Sequence, residues 1–499
     1  MLARLQSRLA ALRGLRADLA ALGLGALAAA ALPPFHIIPV LLVAVPGLLV
    51  LLDSARSPAV AARRGWWFGF GHHVIGLYWI TEAILFEAAR FWWLVPLAVP
   101  AVAAALAVFI AAACFMARLA PPGWPRVLAL AGAWVLADLA RQFVLTGFPW
   151  NPWGSVWEIP GPVGDVLIQP AAWIGVHGLT LVTLLLAAVP VLGWRWRAAG
   201  AALLAAWVAF GVWRLQQTVP PQALAVVLVQ GNVAQGQKFD QALVVRIFQH
   251  YLDLSSQARA TGPAVAVWPE TSFPGLLDLD EPARQAIEQA TRAPALVGSV
   301  RFDQQRRPRN SLFVVLDDGV IGGVYDKWHL VPFGEYIPDW LPLPIMVMPG
   351  NGFASGPGPR TLHVPGLPPF GPLICYEAIF SGQVVDRSDR PTWLVNVTND
   401  AWFGNSTGPR QHLAAARMRA VEEGLPLLRA ANTGISAAFD AHGHELGRID
   451  LQTSGILTVG LPGALPATLF ARIGLWLPAI SGSVALGAGL VARRIAASG

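Results

Sequence analysis

Two hydrophobic patterns divide the chain. Over the first 215 positions, apolar residues run on for about 20 at a time, the length that crosses a bilayer as a helix. Such runs fall at 17–33, 37–53, 66–86, 92–116, 127–144, 171–193 and 198–215, and an eighth at 469–492. The first two are joined by the tight turn Pro33-Pro34-Phe35-His36. The fifth carries Asp138 and Arg141, three apart on one helical face, where they can pair with each other. From 222 onward the runs shorten. Strand-like segments at 223–230, 264–268, 295–301, 311–316, 320–325, 370–374, 392–397, 427–431, 434–440 and 455–460 are interleaved with helical stretches at 240–260, 281–292, 379–387 and 408–423. Asp317-Asp318-Gly319 is a hairpin turn signal. The pattern predicts a membrane domain of seven helices over 1–215, one α/β domain over 216–468, and an eighth helix with a short tail over 469–499.

Composition agrees with a membrane protein. Of 499 residues, 55% are hydrophobic and 13% charged, against about 25% charged in a typical soluble chain. The formal net charge of +6 invites a nucleic-acid reading, but its distribution removes it. Between Val219 and Pro466 there are 18 Lys and Arg against 22 Asp and Glu; the remainder holds 17 against 7. Of those 17, 13 lie at the N-terminus, near 56–64, 118–126 and 195–197, and at 493–494. If the eight spans alternate, all 13 fall on one side. The positive-inside rule then makes both termini cytoplasmic and puts 216–468 across the membrane. Two cysteines, Cys114 and Cys375, exclude a disulfide framework. The loops opposite the arginines are aromatic, with Phe91-Trp92-Trp93, Phe148-Pro149-Trp150-Asn151-Pro152-Trp153 and Trp157. They read as an interfacial belt, or as the lining of a lipid-entry cleft.

Three segments of the α/β domain carry candidate chemistry, each at a predicted strand end. Cys375 closes the apolar run 370–374 and is followed by Tyr376 and Glu377. A lone cysteine is often a small buried hydrophobe. At a strand end it can instead project into a cleft, and there it needs a base and a cation to act as a nucleophile. Glu270, in Trp268-Pro269-Glu270-Thr271-Ser272-Phe273-Pro274, has the apolar company that suits a general base. Lys327, in Tyr325-Asp326-Lys327-Trp328-His329-Leu330, is one of two lysines in a chain that otherwise uses arginine. That choice points to a compact ammonium able to stabilise a thiolate and an oxyanion. There is no paired Cys or His spacing of the zinc type, so no metal is expected, and His442-Gly443-His444 reads as a surface turn.

With these motifs, and with Pro332-Phe333-Gly334-Glu335, segment 222–462 resembles the nitrilase or carbon–nitrogen hydrolase superfamily. The resemblance implies a four-layer αββα sandwich and a Glu270-Lys327-Cys375 triad. The flanking spans, Gln230-Gly231-Asn232 and Asn399-Asp400-Ala401-Trp402-Phe403-Gly404 are together similar to the bacterial apolipoprotein N-acyltransferase family. Membership would imply that an acyl chain passes from a phospholipid to Cys375 as a thioester, then to the N-terminal amine of a diacylglyceryl-cysteine on an apolipoprotein. It would further imply supporting roles for Glu335, Tyr376 and Glu377, and a lid over the acyl chain with Trp402 and Phe403. Phe239 stands where the family often has tryptophan. No cofactor and no nucleic-acid partner are expected, and a monomer in the bacterial inner membrane, its catalytic domain periplasmic, is. Two other readings stay open on these residues: a membrane-anchored amidase that passes its acyl group to water, and a transporter with an extracytoplasmic domain.

Overall fold

The computed structural model describes residues 2–86, 88–238, 240, 242–258, 262, 264–341 and 352–498. It separates into two compact units, Met1–Gln216 with Ile473–Gly499, and Gln217–Arg472.

The first unit is helical. Helices occupy Gly14–Ala28, Leu41–Asp53, Pro58–Gly76, Ile80–Phe86, Val95–Leu119, Trp124–Phe143, Ala171–Ala188, Trp194–Leu215 and Trp476–Ser498. Among the described residues, four stretches are both long and apolar enough to cross a membrane: Gly14–Ala31, Ala88–Leu119, Ala171–Val191 and Trp194–Leu215. The expected third span, 66–86, is broken. Its helix begins earlier, where the Ser57 hydroxyl accepts from Val60 N ahead of Pro58, and stops at Gly76 before a new helix at Ile80. Neighbouring helices touch through small residues. A Cβ on Gly25 would lie 1.8 Å from Phe68 O, so only glycine lets Gly14–Ala28 cross Pro58–Gly76 that closely. Cys114 packs against Gly65 and is fully buried, the plain small hydrophobe of the two thiols.

The predicted pairing of Arg141 with Asp138 is present at 3.0 Å. Arg64, Arg118 and Arg126 converge on one end of Leu41–Asp53. Arg64 donates to Ser54 Oγ at 2.9 Å, Arg118 to Ala55 O at 3.1 Å, and Arg126 pairs with Asp53. At the other end, His36 lies 3.0 Å from Val156 O and Asn151 donates to Gly76 O at 3.3 Å.

The aromatic loops divide, and only part of them fits a belt. Trp92 and Trp93 are exposed, as a belt would have them, but Trp150, Trp153 and Trp157 are buried among the helices. Helix side chains satisfy this irregular backbone: Arg141 donates to Trp150 O at 2.8 Å and Thr180 Oγ1 accepts from Gly154 N at 2.9 Å. Trp153 Nε1 donates to His72 Nε2 at 3.3 Å and Trp157 Nε1 to Thr183 Oγ1 at 2.7 Å. Buried irregular backbone needs such partners.

The second unit holds two six-stranded sheets. The first comprises β1 (Ala225–Gln230), β2 (Ala264–Val267), β3 (Ala295–Phe302), β4 (Pro308–Val315), β5 (Ile321–Asp326) and β12 (Gly455–Gly460), in the order β12-β1-β2-β3-β4-β5. The second comprises β6 (Leu362–Val364), β7 (Leu367–Ile374), β8 (Trp393–Thr398), β9 (Leu427–Ala431), β10 (Ser436–Phe439) and β11 (Glu445–Ile449), in the order β11-β10-β9-β8-β7-β6. β1-β2-β3 and β7-β8-β9 are parallel; the outer pairings are antiparallel. Alternate residues of the two inner faces, such as Leu228, Val267 and Leu296 against Phe370, Trp393 and Val395, form the core between the sheets. The outer faces are covered by α1 (Val244–Ser256) and α2 (Glu281–Thr291) on one side and α3 (Gly408–Glu423) on the other. The layers are α, β, β, α.

Three local expectations need correction. The stretch 379–387 is not an α-helix: a 3₁₀ turn over Cys375–Ile379 gives way to turns, with Gly382 at φ 71° ending any helical course. β6 and β11 lie at sheet edges and were not anticipated; they are short, and β11 is half exposed, so neither makes a continuous apolar run. His442-Gly443-His444 does form a turn, between β10 and β11, but the His442 side chain is buried.

Candidate active site

The carboxyl ends of β2, β7 and β8 and the end of β5 meet in one place. Glu270 follows β2, Cys375 follows β7, Asn399 follows β8 and Lys327 follows β5. Ladder pairing stops there, so side chains and peptide groups are free to turn to the cleft. The backbone is strained at these positions. Cys375 has φ 51°, Thr271 φ 44° and Phe333 φ 60°, the left-handed region that non-glycine residues rarely adopt.

Lys327 Nζ donates to Glu335 Oε1 at 2.9 Å and to Glu270 Oε1 at 3.2 Å. Asn310, on β4, donates through Nδ2 to the same two oxygens, at 2.7 Å to Glu270 and 3.1 Å to Glu335. The second oxygen of Glu270 accepts from Asn399 N at 2.8 Å, and that of Glu335 from Val331 N at 2.9 Å. All four side chains are buried. Burial disfavours the charged ammonium of Lys327. Glu270 and Glu335 outweigh it and hold the lysine well above its ordinary range. Burial, with Glu270 adding to it, pushes the Cys375 thiol up, and Lys327 pulls against them. At rest the sulfur is therefore a protonated thiol, and a base must take its proton as it attacks.

Glu377 serves geometry rather than Lys327. It accepts from Ile374 N at 2.6 Å, Trp328 N at 2.7 Å and the Tyr325 hydroxyl at 3.0 Å, so it ties the cysteine segment to the lysine segment. Burial pushes its carboxyl up to about 7, against the pull of those N–H groups. Tyr376 packs its ring edge on His329 and Phe380, at centroid distances of 5.8 and 5.1 Å. Trp402 and Phe403 lie half buried in the 3₁₀ turn Asp400–Phe403, with Phe403 edge-on to His412 at 5.9 Å. Phe239 lies outside the described residues.

Several contributors had no role assigned from the sequence. His412 of α3 donates from Nε2 to Cys375 O at 3.0 Å, and its Nδ1 lies 2.9 Å from Asp400 Oδ1. Arg429 of β9 donates to Asp400 Oδ2 at 2.6 Å. Burial opposes the charge on Asp400, but Arg429 and His412 prevail and hold its carboxyl down at about 2. The strained Cys375 peptide is thus clamped from beneath. The Thr398 hydroxyl donates to Asp400 Oδ1 at 3.0 Å. Donor atoms of Cys375, Asp400 and His412 lie within 4.8 Å of one another, a metal-like spacing. Asp400 and His412 already pair with each other and with Arg429 and Cys375 O, which makes them a positioning network.

The arrangement suits acyl transfer through sulfur. The C-terminal unit matches the carbon–nitrogen hydrolase family over residues 228–465, and residues 24–189 match the apolipoprotein N-acyltransferase N-terminal domain. The apolipoprotein N-acyltransferase of Bradyrhizobium diazoefficiens is 41% identical over 500 residues, covering 92% of each chain. The chain belongs to the apolipoprotein N-acyltransferase family. The Rhodopseudomonas palustris member is 38% identical over 517 residues, covering 95% of each chain. Among solved structures, an amidase from Nesterenkonia sp. aligns with 49% of this chain and 92% of its own, at 18% identity and a TM-score of 0.38. As an apolipoprotein N-acyltransferase family member, the chain is a membrane protein and an acyltransferase.

Proposed function

We propose that this enzyme takes a fatty acyl chain from a membrane phospholipid onto Cys375 and delivers it to the N-terminal amine of a diacylglyceryl-cysteine on an apolipoprotein. The observation that carries the reading is the convergence of Glu270, Lys327 and Cys375 at adjoining strand ends, two of them coupled by a 3.2 Å ion pair. Glu270 accepts the thiol proton as sulfur attacks the ester carbonyl. Lys327 and the N–H of Tyr376 stabilise the oxyanion. The ester C–O bond breaks, Glu270 returns the proton to the departing lysophospholipid oxygen, and a thioester remains. The acceptor amine then attacks the thioester and gives its proton to Glu270. The C–S bond breaks, the sulfur takes the proton back, and an amide is released. One thiol serving two substrates in turn predicts ping-pong kinetics. Glu335 keeps Lys327 charged and aimed, and Trp402 and Phe403 cover the acyl chain.

The same reading places the protein in the bacterial inner membrane as a monomer, since one chain supplies the whole triad. Eight spans are the apolar runs of the sequence, and if they alternate the arginine distribution makes both termini cytoplasmic and the catalytic domain periplasmic. Support comes from the loops: those near 54–64 and 118–126 meet at one end of Leu41–Asp53, and those near 36, 76 and 151–156 meet one another. Labelled phospholipid with a diacylated lipopeptide tests the reaction. Label in the lipopeptide amide supports it; label only in free fatty acid makes the enzyme a hydrolase and defeats it.

A further inference from the structure

Both lysines of the chain end at Glu270. Lys327 reaches its carboxylate. Lys238, just past a 3₁₀ turn after β1, donates from Nζ to the main-chain carbonyl of Glu270 at 2.8 Å and to Thr271 Oγ1 at 2.7 Å. Its side chain is 1% exposed. A buried ammonium costs several kcal/mol unless charge answers it. Here both hydrogen-bond partners are neutral, and the opposing charge it feels is that of Glu270, the proposed base, joined by Cys375 only as the thiol gives up its proton. Burial lowers Lys238 to about 8, which leaves it mostly protonated at neutral pH. Its two hydrogen bonds also close around the strained Glu270-Thr271 peptide. From beneath, Gly298 supports that peptide so closely that a Cβ there would lie 2.2 Å from Pro269 O and 2.8 Å from Glu270 Cα. A lysine spent on a carbonyl and a hydroxyl has no packing role that methionine could not fill.

We propose that Lys238 is a positioning residue for acyl transfer: it fixes the Glu270-Thr271 peptide so that the Glu270 carboxylate meets Cys375, and its charge favours sulfur giving up its proton to that carboxylate. The inference rests on the Cys375 thioester reading.

The test uses the full-length chain in phospholipid vesicles, with Lys238→Met and Lys238→Arg. Two quantities are read: the single-turnover rate of acyl addition to Cys375 by intact mass, and the pH profile of iodoacetamide alkylation of Cys375, with Cys375→Ala as background. Lys238→Met is expected to slow acylation by about tenfold or more and to move the alkylation midpoint up by about one pH unit, the effect of losing one partly buried charge interaction. Lys238→Arg is expected to recover most of the rate. An unchanged rate and profile in Lys238→Met overturns the proposal. Should that variant not fold, Thr271→Val decides, since it removes one acceptor and leaves the charge. A loss of about threefold or more is expected, as for one hydrogen bond, and no loss overturns the proposal. If the wild-type protein forms no adduct, the thioester reading fails; an adduct forming equally fast in every variant defeats only the role of Lys238.

Discussion

Exchanging the Cys375 sulfur for oxygen separates the nucleophile from its setting. Cys375→Ser keeps the clamp from His412 and Glu377 but offers a hydroxyl that ionises far less readily than a thiol. Acyl transfer is expected to fall by about 10³-fold or more, read in single turnover, while the melting temperature stays within a few degrees. Glu335→Gln leaves Lys327 with one carboxylate in place of two. A loss of about 10- to 100-fold in kcat with little change in KM is expected, and an unchanged kcat would remove Glu335 from the site. The three principal residues were legible because each sits in a short, odd stretch: an acid between two prolines, a lysine in a chain of arginines, a thiol closing an apolar run. The roles of Asn310, His412, Asp400 and Lys238 were not. Their roles depend on partners 12 to 40 residues away, reached only once the strands pair. Glu377 was legible as an acid near the site but not as the link between segments, because its donors are backbone groups that carry no sequence mark.

Elements make the site possible by where they stop. The Glu270 loop rests on β3 at Gly298, and Gly298→Ala would drive a methyl into Pro269 O. It is expected to cost about 1–3 kcal/mol in stability, as overpacking does, and to lower acyl transfer further than that loss explains. A stability measurement and a kcat on the same preparation decide this; equal losses in both would mean that Glu270 is undisturbed. α3 ends on Glu422 and Glu423. Both carboxylate oxygens of Glu423 are buried without a hydrogen-bond partner, and burial, with the charge of Glu422, pushes its carboxyl up to about 7. A raised acid favours the folded state when protonated, so its contribution is complete below about pH 4.5 and is lost as pH rises through about 7. Glu423→Gln is expected to flatten that part of the melting-temperature profile and to raise the melting temperature at pH 8. A profile identical to wild type would contradict the buried charge. Strand and helix positions were readable wherever apolar runs were continuous. The failures, at 379–387 and at β6 and β11, fall where Phe380 and Val384 have helical spacing but Gly382 lies between them, or where an edge strand is too short and exposed to show a period.

On the scale of the whole molecule, the basic residues and the loops make one claim about sidedness. Arg56→Cys is expected to resist a membrane-impermeant maleimide in intact spheroplasts and to react after permeabilisation, whereas Ser388→Cys, exposed on the catalytic unit, reacts in both. Identical behaviour of the two positions would break the proposed orientation. Helix number was only partly legible. A hydropathy run measures apolar length but not the break at Gly76, nor the burial of Trp150, Trp153 and Trp157, which read as a surface belt until polar side chains from distant helices are seen to hold their backbone.

The central claim is a covalent one, and mass reports it directly. The purified full-length protein, exchanged into defined phospholipid without acceptor, is predicted to gain the mass of one acyl chain. The adduct should map to Cys375 and not Cys114, be removed by neutral hydroxylamine, be chased into a diacylated lipopeptide, and be missing in Cys375→Ala. An enzyme that transfers label to the lipopeptide at full rate while Cys375 never carries an acyl group would contradict it.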